Sequence, residues 1–129
     1  MTVLVGYVPT PEGEAAFAAA LDEAGRRGEP LLLLNSPRSG APVSADVAAE
    51  PVVQDLTARA RAAGVDLQVR QEPHDGEVSD EVLRVARAID ASVIVIGLRR
   101  RSPVGKLLMG SSAQRILLDA DRPVLAVKP

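Results

Sequence analysis

The sequence contains no cysteine and no tryptophan, and Tyr7 and Phe17 are its only tyrosine and phenylalanine. Without cysteine there is no disulfide framework, no thiolate nucleophile and no Cys-based zinc site. With so few aromatic rings there is no stacking platform for a single-stranded nucleic acid. Basic residues number 15 against 17 acidic ones, for a formal net charge of −2, so the basic excess of a general nucleic-acid binder is also missing. No apolar run approaches the roughly 20 residues that cross a bilayer. Met1–Val8 lacks the basic start of a signal peptide and is interrupted by Gly6 and Pro9. By elimination the expected compartment is the cytoplasm, with neither nucleic acid nor membrane as a partner.

What is present suits a single domain. The chain has 129 residues, 47% of them hydrophobic and 25% charged, enough for a core built from Val, Leu, Ile and Ala. Val3–Val5 begin a short apolar strand. Thr10-Pro11-Glu12 then reads as N-cap, first helical residue and first-turn acid, with Phe17, Leu21 and Ala24 as the buried stripe and Gly25 and Gly28 as the stop. Leu31–Leu34 is a continuous apolar run, as in a strand covered on both faces. Ser36–Val43 has loop composition, and Ala45–Ala63 favours a helix that starts near Pro51, presents Val53, Leu56, Ala60 and Ala63 to the sheet, and stops at Gly64. Val65, Leu67 and Val69 alternate with polar residues, which predicts a strand nearer the sheet edge.

The second half repeats the alternation. Ser79-Asp80-Glu81 predicts an N-cap followed by first-turn acids, with Val82, Leu83, Ala86 and Ile89 on the apolar face. Val93–Ile96 is a β-branched strand that ends at Gly97 and empties into Arg99, Arg100 and Arg101. Ser111 with Gln114 matches a capping box, and Ala113, Ile116 and Leu117 give that helix its stripe. Pro123 opens a last strand, Val124–Val127. The order β-α-β-α-β-α-β-α-β implies an α/β fold, a five-stranded parallel sheet with helices on both faces. In such a sheet the ligand lies beyond the carboxyl ends of the strands, where strand order reverses. The positions to inspect are Tyr7–Thr10, Leu34–Ser36 and Ile96–Arg101, joined by Gly110–Ser112 at a helix N-terminus able to hold phosphate oxygens.

The stretch VIVIGLRRRSPVGKLLMGSSAQRILLDADRPVLAVK resembles the C-terminal half of a universal stress protein, and the likeness extends over the whole chain. In the ATP-binding branch of that family a strand is followed by Gly, two residues, Gly, nine residues, then Gly and Ser or Thr. Gly97, Arg100, Gly110 and Ser111 occupy those positions. The resemblance implies the strand order 3-2-1-4-5, an adenine nucleotide such as ATP as ligand, with Mg2+ only alongside bound nucleotide, and a homodimer formed through Val124–Val127. It implies a non-enzymatic stress-response module, at most a slow ATPase. Ile96, Gly97, Arg99, Arg100, Gly110, Ser111 and Ser112 would hold the phosphates, while Gly6, Tyr7, Val8, Thr10 and Asn35 would flank base and ribose. The alternative is a dimeric scaffold of the same family that binds no nucleotide. Two departures bear on that choice. Val8 stands where nucleotide-binding members carry an acid, and Arg100 replaces a glycine. Arg100 is a steric penalty if the backbone needs glycine there, and a bidentate phosphate ligand if it does not.

Each feature also has a plainer explanation. The arginine run can be a solvated loop, Ser111 a simple cap, and Gly97 and Gly110 ordinary turn residues; their joint spacing is what raises them above that. His74, the only histidine, sits among Glu72, Asp75 and Glu77. A metal or acid/base site is conceivable there, but the composition favours a solvated loop. Ser79, Ser111 and Ser112 lack a placed base, so no hydrolase triad is expected.

Overall fold

A computed structural model describes residues 1–37, 47–99 and 110–129. Nine elements alternate along the chain: β1 (Thr2–Gly6), α1 (Pro11–Arg27), β2 (Leu31–Leu34), α2 (Glu50–Ala62), β3 (Leu67–Arg70), α3 (Val78–Ala88), β4 (Ala91–Gly97), α4 (Ser111–Asp119) and β5 (Val124–Val127). All strand pairings are parallel, and the order across the sheet is β3-β2-β1-β4-β5. The chain therefore winds outward from β1 to β3, returns to the other side of β1, and continues to β5. The switch point lies between the carboxyl ends of β1 and β4, as the strand order implied by the family resemblance requires.

The period of two in β1 divides the core. Val3, Val5 and Tyr7 face a cluster with Phe17 of α1 and Leu56 of α2, while Leu4 faces a cluster with Val82 and Val85 of α3 and Ile116 of α4. Helices α1 and α2 thus cover one face and α3 and α4 the other. All four residues of β2 are buried, consistent with its continuous apolar run, whereas β3 at the sheet edge is only partly covered. Burying a Leu or Phe side chain contributes about 1.5–3 kcal/mol. Among the described residues no helix is long and apolar enough to cross a membrane.

Several local expectations change. Helix α1 runs through Gly25 and ends at Gly28, whose φ of 64° gives the left-handed cap. Helix α3 is capped by Glu77 without a side-chain bond, and Ser79 lies buried in its first turn. Helix α4 begins at Ser111 with Gly110 as cap residue, and no side chain caps it, so the Ser111–Gln114 box is absent. A capping side chain needs the extended backbone of the N-cap position, and Ser79 and Ser111 are already helical. Ala63, the cap residue just past α2, and Leu117 on α4 are exposed rather than turned to the sheet. The arginines Arg100 and Arg101 and most of the Ser36–Val43 loop lie outside the described residues.

A polar knot ties α1 to α2 and β1. The Tyr7 hydroxyl donates to Glu14 Oε1 at 2.6 Å and Arg59 Nη1 donates to Glu14 Oε2 at 2.7 Å. The Arg59 guanidinium lies 4.9 Å from the centroid of the Phe17 ring, and Phe17 meets Tyr7 edge-on at 6.4 Å. Partial burial alone would push the Glu14 carboxyl up, but the hydrogen bonds from Tyr7 and Arg59 hold it below its usual value. A depressed folded-state pKa stabilises the fold above the unfolded value near pH 4.3 and is lost as pH falls through the folded value. Glu14→Gln should therefore cost about 0.5–1 kcal/mol at neutral pH, allowing for solvent screening, with the difference from wild type vanishing in acid. Urea midpoints measured between pH 3 and pH 7 check this.

Candidate functional site

The crevice at the switch point begins with a backbone contact. After β1 the chain passes through Tyr7 and Val8 and turns at Pro9 into α1. Thr10 N–H donates to the Val8 carbonyl at 2.8 Å, and Thr10 Oγ1 accepts from Gly13 N–H at 3.1 Å. The sequence-predicted cap is thus present. Gly13 lies directly on Val8, and Gly97 at the end of β4 lies directly on Glu12. A Cβ on Gly13 would overlap the Val8 carbonyl, and one on Gly97 would overlap the Glu12 carbonyl. Both glycines are needed for close approach, not for a positive φ.

Beside this contact, on the α3–α4 face, opens a cavity of about 150 Å³. Its walls are mainly apolar, from Leu34 of β2, Val78 and Val82 of α3, Ile96 of β4 and Ala113 and Ile116 of α4, with Ser36 as a polar side chain in the wall. A second space of about 310 Å³ adjoins it, with Arg99, Gly110 and Ser111 in its lining. The two spaces share Val8, Glu12, Gly97, Ser112 and Ala113, so they form one crevice with an apolar inner chamber and a polar outer rim. The first amides of α4 have no intrahelical acceptor and no side-chain cap. The rim therefore combines backbone N–H donors, two hydroxyls, the positive end of a helix dipole and the exposed Arg99.

The sequence-predicted residues divide. Gly6 and Ile96 line the inner chamber, Arg99, Gly110 and Ser111 the rim, and Val8, Gly97 and Ser112 both. Tyr7 also lines the chamber, but its ring packs in the α1–α2 cluster and its phenol is bound by Glu14; burial, then Glu14, pushes that phenol well above its ordinary pKa. Alternation along the strand puts the Tyr7 side chain on the opposite face of the sheet from the chamber. Asn35 is fully buried and its carboxamide serves the backbone. Nδ2 donates to the Tyr7 carbonyl at 2.9 Å, and Oδ1 accepts from Ala48 N–H at 2.9 Å and from Gln71 Nε2 at 3.1 Å. It braces the chamber from below and does not line it. Thr10 acts as a helix cap and does not line either space. Arg100 lies outside the described residues.

Sequence reasoning reached Ser36 only as the end of the Leu34–Ser36 strand exit, and it missed Glu12, Gly13, Val82 and Ile116 as parts of one site, because each has a local explanation as first-turn acid, helix residue or apolar stripe. Glu12 had one usable signal, its place in the first turn of α1 just beyond the end of β1, and it lines both spaces that Val8 lines. His74 corrects an expectation. It is buried, with 9% exposure, and its backbone N–H donates to the Pro37 carbonyl at 2.9 Å. Its Nδ1 lies 2.9 Å from Ser36 Oγ, which also donates to the Glu72 carbonyl at 2.7 Å. Ser36 and Pro37 after β2 thus hold the residue through its backbone and its ring. Near it, Arg84 foremost, with His74 and Arg70 adding, holds the Glu81 carboxyl below its usual value. Among the described residues no group of three or more His, Asp or Glu side chains is placed to hold a metal ion.

A model of the universal stress protein family matches residues 1–128. The chain belongs to the universal stress protein family. A universal stress protein of Mycolicibacterium smegmatis is 43% identical over 127 residues, covering 98% of this chain and 97% of that one. The structure of a universal stress protein from Archaeoglobus fulgidus superposes with a TM-score of 0.85 at 30% identity, covering 99% of this chain and 98% of that one. A universal stress protein structure from Archaeoglobus fulgidus in complex with dAMP shares the fold, with a TM-score of 0.74 at 23% identity over 99% and 98% of the two chains.

In this universal stress protein, the two glycine contacts give a direct test of how the crevice is built. Gly13→Ala and Gly97→Ala each force backbone apart at the crevice floor and should each cost about 2–3 kcal/mol. Gly110→Ala, where a Cβ meets open space, should cost far less. Thermal and urea unfolding of the three variants provides the comparison.

Proposed function

We propose that this universal stress protein is a non-enzymatic module that binds an adenine nucleotide in the crevice between β1 and β4. The observation that carries this reading is the continuity of an apolar chamber with a rim of helix amides, Ser111, Ser112 and Arg99. A purine is flat and largely apolar and suits the chamber between Val82, Ile96 and Ile116. The phosphates then meet the start of α4, where amides and dipole favour anions. Glu12, an acceptor at the junction, is placed for ribose hydroxyls, in the role that Val8 cannot fill. Mg2+ would accompany the phosphates of a bound ATP. The dAMP complex of the Archaeoglobus fulgidus protein supports the reading by showing that this fold holds an adenine nucleotide. Any ATP turnover is expected to be slow, since the buried His74 pairs with Ser36 in the chamber wall and does not line the rim.

The second reading is a family scaffold without nucleotide. Val8 favours it, because the crevice mouth then offers phosphate a Glu12 carboxylate and no compensating polar group from β1. Denaturing the purified protein, identifying released nucleotide by mass spectrometry and titrating the apo form with ATP, ADP, AMP and cyclic AMP separates the two. We expect millimolar or tighter binding, reduced at least about tenfold, or 1.4 kcal/mol, by Ala113→Phe, which fills the junction of chamber and rim. Absence of both co-purified nucleotide and binding would establish the scaffold reading instead.

We also propose a homodimer through β5. That strand is an edge of the sheet, and Leu125 on it is 37% exposed. An open apolar edge is a template for strand pairing, and two-fold pairing closes it. Leu125→Lys is expected to shift the protein from dimer to monomer in light scattering coupled to gel filtration; an unchanged mass would place any interface elsewhere.

A further inference from the structure

The Ser36–His74 pair is the one buried histidine contact that the proposed function leaves unused, and it stands in the wall of the chamber that would hold the base. Its hydrogen-bond inventory is closed enough to assign. A hydroxyl has one proton and two lone pairs. The Glu72 carbonyl can only accept, so at 2.7 Å the Ser36 proton is committed to it. His74 Nδ1, 2.9 Å from the same oxygen, must then be the donor; were it an acceptor, two acceptors would compete for one proton. His74 is therefore protonated at Nδ1, whether the ring is neutral or an imidazolium. One lone pair of Ser36 Oγ takes that N–H. The remaining lone pair is the unused valence of a residue that lines the chamber, where the other walls are mainly apolar.

We propose that Ser36, oriented by His74, is a fixed hydrogen-bond acceptor that makes the chamber selective for a base bearing an exocyclic amino group, a 6-aminopurine, over its 6-oxo counterpart. This rests on the nucleotide-binding reading and refines it. An amino group donates to the free lone pair. A 6-oxo group opposes acceptor to acceptor, and Ser36 cannot turn its proton toward it without leaving the Glu72 carbonyl facing an Oγ lone pair. A site built around a committed hydrogen bond rejects the analogue that cannot make it much more strongly than an apolar wall does. His74 acts as a positioning residue: it holds the oxygen and does not touch the ligand.

The test pairs two ligands with one spectroscopic measurement. Calorimetric titration of the wild type with AMP and IMP should give AMP at least about tenfold tighter. Ser36→Ala should bring that ratio close to one by weakening AMP, and Ser36→Thr should retain it. Because the chain has a single histidine, its 15N resonances report the tautomer without assignment, and the neutral ring should be the Nδ1–H form, the reverse of free histidine's preference. That measurement needs neither ligand nor variant, so it holds even if Ser36→Ala does not fold. An Nε2–H tautomer, a wild-type ratio near one, or an unchanged ratio in Ser36→Ala each overturns the selectivity alone. Failure of the wild type to bind either nucleotide overturns the nucleotide reading and the selectivity with it.

Discussion

The arrangement depends on a contact that has no side chain in it. The first turn of α1 rests backbone to backbone on the ends of β1 and β4, through Gly13 on Val8 and Gly97 on Glu12. At this distance a methyl group could not be accommodated by rotating a side chain, because carbonyl groups stand opposite both positions. The contact sets the height of α1 over the sheet, so that Val8 and Glu12 become the ridge where the apolar chamber meets the polar rim. Raising the helix would merge the crevice with solvent and separate β4 from the turn that shapes its exit.

Around that contact the polar backbone at the carboxyl edge of the sheet is satisfied by a small set of side chains. Asn35 is the main one, joining the ends of β1 and β2, the residue before α2 and Gln71 in a single buried junction. Buried backbone groups without partners are costly, and a carboxamide can both donate and accept. On the opposite face the Tyr7–Glu14–Arg59 knot performs a related task between helices. The crevice is consequently framed by groups already occupied in the free protein, and a ligand would not have to order them on binding.

Much of the architecture was legible from pattern. The continuous apolar β2, the alternating β3, the Thr10-Pro11 start and the Val93–Ile96 core of β4 each carry a local signal strong enough to place them. The cap assignments at Ser79 and Ser111 failed because Ser at the start of a helix is a statistical signal, while capping depends on backbone dihedrals at the true N-cap, two residues before Ser79 and one before Ser111. His74 was misjudged for a different reason. Its neighbours in sequence are acidic and polar, but its neighbours in space are the loop after β2 and the start of α3. Of the crevice, Gly97, Gly110, the rim serines and Arg99 could be named from spacing and the family resemblance, whereas Glu12, Gly13, Val82 and Ile116 could not.

The sequence by itself determined the order of elements, the parallel sheet and which face of each strand or helix is apolar, because these follow from short-range periodicity and turn chemistry. Only the tertiary structure decided that Gly13 and Gly97 are spacers, that Asn35 and the Tyr7 ring turn away from the chamber, and that Ser36 and His74 meet in its wall. Those outcomes depend on crossovers that bring residues tens of positions apart to one edge of the sheet. Such distances are set by how helices seat on strands, and no local pattern records them.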